Sequence, residues 1–510
     1  MSAHEEAQQY GEHGELADRG EYGESADGEY DDRDDRDDYD AVVIGAGPVG
    51  ENVADRAHAA GLRTVLVERE LVGGQCSYWA CMPSKALLRP AAALTGARRV
   101  EGAAQAAYGR LDAEAVLRRR DGFTSHWRDG GQVDWLGSAG LELVRGHARL
   151  AGARRVVVDT PDGGRRTLNA RHAVAVCTGS RAVLPELPGI AEAQPWTSRE
   201  ATAAKEVPGR LAVVGGGVVG AEMATAWSAL GSEVTVLVRG GRLLPRMEPF
   251  AGELVAGALG EAGAVVRTGV SVERLSRPAP DRPVTLHLDD GGRLEADEVL
   301  FATGRAPRTE DIGLETVGCT PGGPLEVDDS LRVPGVRGGW LYAVGDVNGR
   351  ALLTHQGKYQ ARIAGCAIGA RAAGVPLLET DRWGAHSATA DHVAVPQVVF
   401  TDPEVASVGC TAEEAERRGL RVRSVDLDLG GVAGAALYAD GYRGRARMVV
   451  DLDREVLVGA TFVGPGVAEL LHSASIAVVA EVPIERLWHA VPSYPTISEA
   501  WLRLLETYRG

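Results

Sequence analysis

Cys76 and Cys81 stand five positions apart in a 510-residue chain that has only six cysteines. Cysteine acts as a nucleophile or a metal ligand only as the thiolate, so a close pair points to thiol–disulfide redox chemistry or to metal binding. A zinc site needs two more ligands, and no second Cys or His pair occurs at metal spacing, so no metal is expected. The redox reading needs only that the two sulfurs meet. The four residues between them fit one helical turn, which brings both onto one face within disulfide reach. Cys177, Cys319, Cys366 and Cys410 are scattered and read as small buried apolar residues.

Two glycine motifs point to dinucleotides. The first is Gly45-x-Gly47-x-x-Gly50, and Glu68 follows eighteen residues after Gly50. The first glycine permits a tight turn, the second a close approach to a pyrophosphate, and the third close packing of helix on strand. Glu68 is placed to accept hydrogen bonds from both hydroxyls of an adenosine ribose. The second motif is Gly215-x-Gly217-x-x-Gly220. Its ribose-acid position holds Val238, with Arg239 next and Arg242 and Arg246 close by. Loss of the acid beside an arginine favours a 2′-phosphate, so NADPH is expected over NADH. Two such sites in one chain suggest a flavin, FAD, exchanging hydride with a nicotinamide.

The elements that must position these residues are legible around them. Tyr39–Ile44 reads as a strand, Glu51–Ala60 as a helix and Thr64–Val67 as a strand. The pattern recurs at Leu211–Val214, Ala221–Leu230 and Val234–Val238. Arg154–Thr160 and Arg165–Leu168 form a hairpin about Pro161–Gly164, and Ala173–Val176 is a buried strand. From Pro396 mixed strands and helices mark a last domain. The net charge of −17 is concentrated in residues 1–40, which hold sixteen Asp and Glu against three Arg. Residues 1–38 therefore read as a disordered acidic tail, with too few aliphatic side chains to fold. The body has no basic stripe for nucleic acid and no apolar run of membrane-spanning length. With no apolar or basic leader at the N-terminus, the chain is expected in the cytoplasm.

Gly73–Leu88, GGQCSYWACMPSKALL, resembles the redox-disulfide motif of the flavoprotein disulfide reductases, the class I pyridine nucleotide-disulfide oxidoreductases that include dihydrolipoyl dehydrogenase and glutathione reductase. Cys177–Ser180, Ala302–Pro307, Tyr342–Asp346 and Phe400–Cys410 agree, so the resemblance runs from Tyr39 to Leu505. It implies an α/β fold of two Rossmann-like domains, FAD- and NAD(P)-binding, plus a C-terminal α+β dimerisation domain. The ranges implied are 39–190 and 304–390 for FAD, 191–303 for NAD(P) and 391–510 for the homodimer contact.

The resemblance also implies roles. Cys81 is the thiolate nearer the flavin, and Cys76 the interchange thiol that meets substrate. Lys85 lies beside flavin N5 with Glu222 as its ion-pair partner. Asp346 binds the ribityl chain, Gly179 lines the cofactor site, and Gly45, Gly47, Gly50 and Glu68 hold the ADP half. At the C-terminus the family's His-Pro-Thr-x-x-Glu is replaced by Tyr494-Pro495-Thr496-Ile497-Ser498-Glu499. Tyrosine, with a reference pKa of about 10, donates a proton at neutral pH but is a poor base. His489 is too far along to substitute for it. Mercuric reductases can carry this tyrosine, but they need a C-terminal cysteine pair, and LRLLETYRG holds none.

The leading expectation is electron relay from NAD(P)H through FAD and Cys76–Cys81 to a disulfide or another small acceptor. The alternatives are diaphorase, quinone-reductase or transhydrogenase-like transfer without the cysteines; dihydrolipoyl dehydrogenase; and a non-catalytic flavin-binding interaction protein.

Overall fold

The computed structural model describes residues 37–378 and 381–510, so the expected tail as far as Arg36 lies outside the described residues. The first apolar run forms strand β1 (Asp38–Ile44), followed by helix α1 (Pro48–Ala59) and strand β2 (Thr64–Glu68). Val42, Val43, Val65 and Leu66 are fully buried, as in parallel strands covered on both faces. The strand starts at Asp38 rather than Tyr39 because the first carboxylates have partners. Asn169 Nδ2 donates to Asp38 Oδ1 at 2.8 Å, and Arg166 pairs with Asp37.

Helices α2 (Gly74–Tyr78) and α3 (Cys81–Arg98) precede strands β3 (Glu142–Arg145), β4 (His147–Leu150), β5 (Arg155–Asp159) and β6 (Arg165–Val176). The β5–β6 hairpin closes at the expected Pro161–Gly164 turn, with Thr160 N donating to Gly164 O at 3.0 Å. Strands β3, β2, β1 and β6 run parallel in that order.

A second parallel sheet comprises β7 (Arg210–Val214), β8 (Glu233–Val238), β9 (Val265–Thr268) and β10 (Glu298–Phe301), in the order β9-β8-β7-β10. Helix α4 (Val218–Ala229) connects β7 to β8 and buries Met223 and Trp227. The chain then returns to the first sheet as β11 (Leu341–Ala343), parallel to β6. Ile44, Val67, Val176 and Ala343 are thus neighbours in register, and the loops after them open on one edge. Ligands of such sheets bind at the carboxyl ends of the strands.

Helix α5 (Thr354–Ala372) lies against α1, and its glycines let the two approach closely. A Cβ on Gly365 would come within 2.4 Å of Arg56 Cβ, and one on Gly369 within 2.6 Å of Ala60 Cβ. The last sheet is antiparallel: β12 (Pro396–Val399), β13 (Glu404–Gly409), β14 (Val422–Asp428), β15 (Arg445–Asp451) and β16 (Val456–Gly464), in the order β12-β13-β16-β15-β14. Helices α6 (Leu471–Val479) and α7 (Ala500–Arg509) share its core, packing Ala474 and Leu504 with Met448 and Phe462. The architecture is the mixed α/β fold expected from the sequence.

Among the described residues no helix is long and apolar enough to cross a membrane. Cys177 and Cys410 are buried and Cys319 is half-buried. Cys366 departs from the expectation of burial: it is exposed, next to Gly365, because only the glycine side of that turn meets α1.

Candidate active site

The first glycine turn is fixed by sterics. Gly45 has φ +102°, and a Cβ there would lie 2.6 Å from Cys177 O. A Cβ on Gly50 would lie 1.8 Å from Gly45 O. At Gly47 the nearest atom to a Cβ is Gly74 Cα at 3.8 Å, so its backbone stays open. Glu68 Oε2 accepts from Ala46 N and Oε1 from Glu70 N, both at 2.8 Å, which holds the carboxylate at the end of β2 with lone pairs to spare.

A cavity of about 520 Å³ joins these groups; Gly45, Gly47, Glu68, Gly179, Asp346 and Cys76 line it. An acid, open glycine backbone at a helix N-terminus and the Cys76 thiol around one cavity suit the chemistry of an FAD molecule. A larger cavity of 960 Å³ lies between α3, α4 and the last sheet, beside the Arg99–Asp402 ion pair. It includes neither cysteine of the pair nor any glycine of the two dinucleotide motifs.

Arg305, a residue for which no role was expected, links the cofactor edge to the cysteines. Its Nε donates to Ser180 Oγ at 2.7 Å and its Nη2 to Gln75 Oε1 at 2.6 Å. Ser180 Oγ in turn donates to Asp346.

The cysteine pair does not share one helical turn. Cys76 lies in α2, which ends at Tyr78, and Cys81 opens α3; between them Trp79 has φ −140° and Ala80 φ −141°, ψ −100°. Tertiary packing imposes the break. Tyr78 Oη lies 3.0 Å from Val72 O and 3.1 Å from Gln132 Oε1, and the Arg199 guanidinium covers the Trp79 ring at 3.6 Å. The consequence is electrostatic, because Cys81 now stands at the N-terminal, positive end of an eighteen-residue helix.

Both thiols are free. Cys81 is lowered to about 6, chiefly by a hydrogen bond from Cys76 and with help from Thr354 and the Lys85 charge, against burial. Thr354 Oγ1 is 3.3 Å from Cys81 Sγ. Cys76 is raised, first by its hydrogen bond to Cys81 and then by burial. The negative charge of the pair therefore resides on Cys81.

One turn beyond Cys81, Lys85 Nζ donates to Glu222 Oε2 at 2.8 Å and Oε1 at 3.0 Å. Glu222, on α4, is buried; it also accepts from Phe400 N at 3.0 Å, and the Phe400 ring sits 5.0 Å from Lys85 Nζ. Helices α3 and α4 and the segment after β12 thus meet at this ion pair. The second turn repeats the first, with Gly215 at φ +123° and a Cβ on Gly220 2.0 Å from Gly215 O; Gly217 caps α4. At the end of β8 Val238 is buried and Arg239 is exposed, with no hydrogen bond or ion pair among the described residues. Arg242 Nη2 donates to Pro245 O at 3.2 Å, and its Nε is buried without a partner among the described residues.

Tyr494 is 77% exposed and Glu499 is buried, its Oε2 without a partner among the described residues. Neither lines the cavity at Cys76, so the chain does not bring them to its own cysteines there. The site residues that sequence reasoning misses are Thr354, Arg305 and Phe400. Thr354 and Arg305 lie 273 and 230 positions from their partners in the redox segment; Arg305 and Phe400 fall in stretches that carry the family resemblance, which marks the stretches but not these side chains, and nothing local marks Thr354.

Comparison with known proteins adds the following. Residues 39–364 match the family model described as pyridine nucleotide-disulphide oxidoreductase, and residues 395–505 match the dimerisation domain of the same family. A mercuric reductase from Staphylococcus aureus is 31% identical over 475 residues, covering 90% of this chain and 81% of that one. A dihydrolipoyl dehydrogenase from Thermus scotoductus is 33% identical over 477 residues, covering 92% and 97%. The solved structure of the HOCl-induced flavoprotein disulfide reductase RclA from Escherichia coli superposes with a TM-score of 0.77 at 25% identity, covering 92% and 99%. The dimerisation-domain match supports a homodimer.

Proposed function

The chain belongs to the pyridine nucleotide-disulfide oxidoreductases, FAD-binding enzymes that take electrons from NAD(P)H, and within that family we propose that it passes them through Cys76–Cys81 to a small disulfide. The observation that carries this reading is the placement of the pair: Cys81 opens α3 with its Sγ 3.3 Å from Thr354 Oγ1, one turn before the Lys85–Glu222 ion pair, and Cys76 lines the cavity with the glycine turn. Residues 39–190 and 304–390 serve FAD, 191–303 the nicotinamide, and 391–510 the dimer. Gly45, Gly47, Gly50 and Glu68 hold the ADP half of FAD, and Asp346 its ribityl chain. Bound there, FAD supplies two-electron exchange between nicotinamide and dithiol. Glu222 fixes the Lys85 ammonium near the thiolate. Cys76 is the thiol that meets substrate. Arg239 favours the 2′-phosphate of NADPH. Tyr494 serves as a proton donor in the partner's site rather than as a base. A reducing, cytoplasmic setting suits a dithiol that must cycle.

A second reading, direct reduction of a quinone or dye, is favoured by the tyrosine at 494, since that acceptor needs no base there. Anaerobic titration with NADPH separates the two. Wild-type protein is expected to take up two hydride equivalents per subunit and Cys76→Ser one, with disulfide reduction lost in the variant. Uptake of a single equivalent by the wild type, with equal turnover in Cys76→Ser, would overturn the relay.

A further inference from the structure

We propose that Trp127 is a positioning residue for the redox pair, and that segment 199–205 holds the break between Cys76 and Cys81 in place through the rings of Trp79 and Trp127. The inference rests on the reading of Cys76–Cys81 as the redox pair. Where α2 stops at Tyr78, its last carbonyls have no helical donor. Tyr78 O takes a donor from elsewhere in the chain: Trp127 Nε1 donates to it at 3.1 Å. The next side chain, Trp79, is buried, and the Arg199 guanidinium lies 3.6 Å from its ring centroid. The two residues at the break are held from outside the redox segment, one by an indole N–H and one by a cation.

Trp127 is held in turn. Lys205 Nζ stands 3.9 Å from its ring centroid and the Arg120 guanidinium 5.4 Å. Arg120 is fully buried, and it caps the short helix Ser198–Ala203 by donating to Thr202 O at 2.5 Å and Ala204 O at 2.7 Å. Asp121 bridges the two cations, accepting from Arg120 Nε at 2.8 Å and from Lys205 Nζ at 3.0 Å. To bring the indole there, Ser125, His126 and Trp127 take φ of +48°, +51° and +55°, a left-handed run of non-glycine residues. Such backbone persists only where its surroundings over-determine it. Helix Ser198–Ala203 is fixed to the second sheet through Trp196, whose N donates to Val299 O at 2.8 Å and whose O accepts from Phe301 N at 2.9 Å, both on β10. A contiguous path of bonded and packed groups leads from β10 to the residues between the cysteines.

The break puts Cys81 at the N-terminus of α3, where a thiolate is favoured. Reduction of the pair breaks the Cys76–Cys81 S–S bond with the two electrons of an NADPH hydride. One proton is taken up as the Cys76 thiol, and Cys81 is left as the thiolate. Whatever stabilises that thiolate favours the dithiol over the disulfide. Loosening the break takes Cys81 from its place at the helix end and makes the pair harder to reduce.

The test is the equilibrium of the pair in the holoenzyme against dithiothreitol redox buffers at neutral pH, read by trapping free thiols with iodoacetamide and weighing the Cys76 and Cys81 peptides. Trp127→Phe keeps a ring and removes the N–H. It is expected to retain FAD and to shift the equilibrium about tenfold toward the disulfide, or ~30 mV for this two-electron couple. Lys205→Met, a change at an exposed side chain, should shift it the same way by about threefold, and Lys205→Arg, which keeps a cation on the ring, should behave as wild type. No shift in Trp127→Phe or in Lys205→Met, a shift toward the dithiol, or a Lys205→Arg that behaves as Lys205→Met overturns the inference. A wild type in which Cys76 and Cys81 form no disulfide with each other in these buffers overturns the redox-pair reading itself, and the inference with it.

Discussion

In both glycine turns the first glycine takes positive φ, +102° at Gly45 and +123° at Gly215, and its N–H bonds the end of the neighbouring strand at 2.8 and 2.9 Å. In both, the third glycine leaves no room for a Cβ. The two differ only in side chains. The first ends its second strand in Glu68 and follows its last glycine with Glu51, whose Oε1 has no hydrogen-bond partner among the described residues. The second ends in Val238–Arg239 and carries Glu222, bonded to Lys85 and Phe400. Backbone sterics fix the phosphate cradle. Under the proposed assignment, which nucleotide sits there is set by the side chain at the strand end.

The largest test of that comparison is Gly50→Ala against Gly220→Ala. The backbone obstruction is nearly the same in each, 1.8 and 2.0 Å from a carbonyl oxygen, and overpacking of this kind costs about 3 kcal/mol. The consequences should diverge. Gly50→Ala is expected to purify without FAD. Gly220→Ala should retain FAD but no longer be reduced by NADPH. Equal flavin retention in both variants would break the assignment of one nucleotide to each turn. The absorbance of the purified protein, before and after anaerobic NADPH, decides it.

Neither turn supplies a conventional base, and the C-terminal segment offers a phenol where the family has an imidazole. Tyr494→His is therefore expected to raise dihydrolipoamide oxidation by about 10²-fold. Reduction of a quinone, which does not use this residue, should change little. Robust dithiol oxidation by wild type, undiminished in Tyr494→Phe, would place the base elsewhere.

Legibility in the sequence follows the same division. Steric requirements are local, so the glycine turns, the continuous apolar strands and the Pro161–Gly164 hairpin are readable from residue type and spacing alone. The break between α2 and α3 is not. Five-residue spacing suits a helix, and only the burial of Tyr78 and Trp79 under Gln132 and Arg199 overrides it. Thr354, which opens α5, and Arg305, within the Ala302–Pro307 stretch, reach the site from far along the chain, and residue type and spacing give neither a role. The exposure of Cys366 depends on which side of α5 meets α1, and composition does not encode that.

The strand-end difference predicts cofactor choice. Arg239 is exposed and without partners among the described residues, free to meet a 2′-phosphate, and a charge-assisted hydrogen bond contributes about 1.5–3 kcal/mol. Arg239→Glu should shift the ratio of kcat/KM for NADPH over NADH by about tenfold or more toward NADH. A wild type that already favours NADH would break the comparison at this point.

The smallest effect concerns how each turn tunes the thiolate. Thr354 reaches Cys81 from α5, which packs on the α1 of the first turn. Lys85 is held in place by Glu222 of the second. Cys81 sits near 6 because thiolate is favoured over thiol, so its signal, the thiolate absorbance near ~240 nm or its alkylation rate, should be present above that pH and lost as pH falls through about 6. Removing a group that favours the thiolate raises the midpoint. The Thr354 hydrogen bond contributes more than the Lys85 charge, which is partly screened because that side chain is about a third exposed. Thr354→Val is therefore expected to raise the midpoint by about one unit, or roughly 1.4 kcal/mol, and Lys85→Met by less. The reverse order would mean that the second turn, through its ion pair, sets the thiolate. Shifts that vanish in both variants would leave the Cys76 proton and the α3 N-terminus as the sole causes.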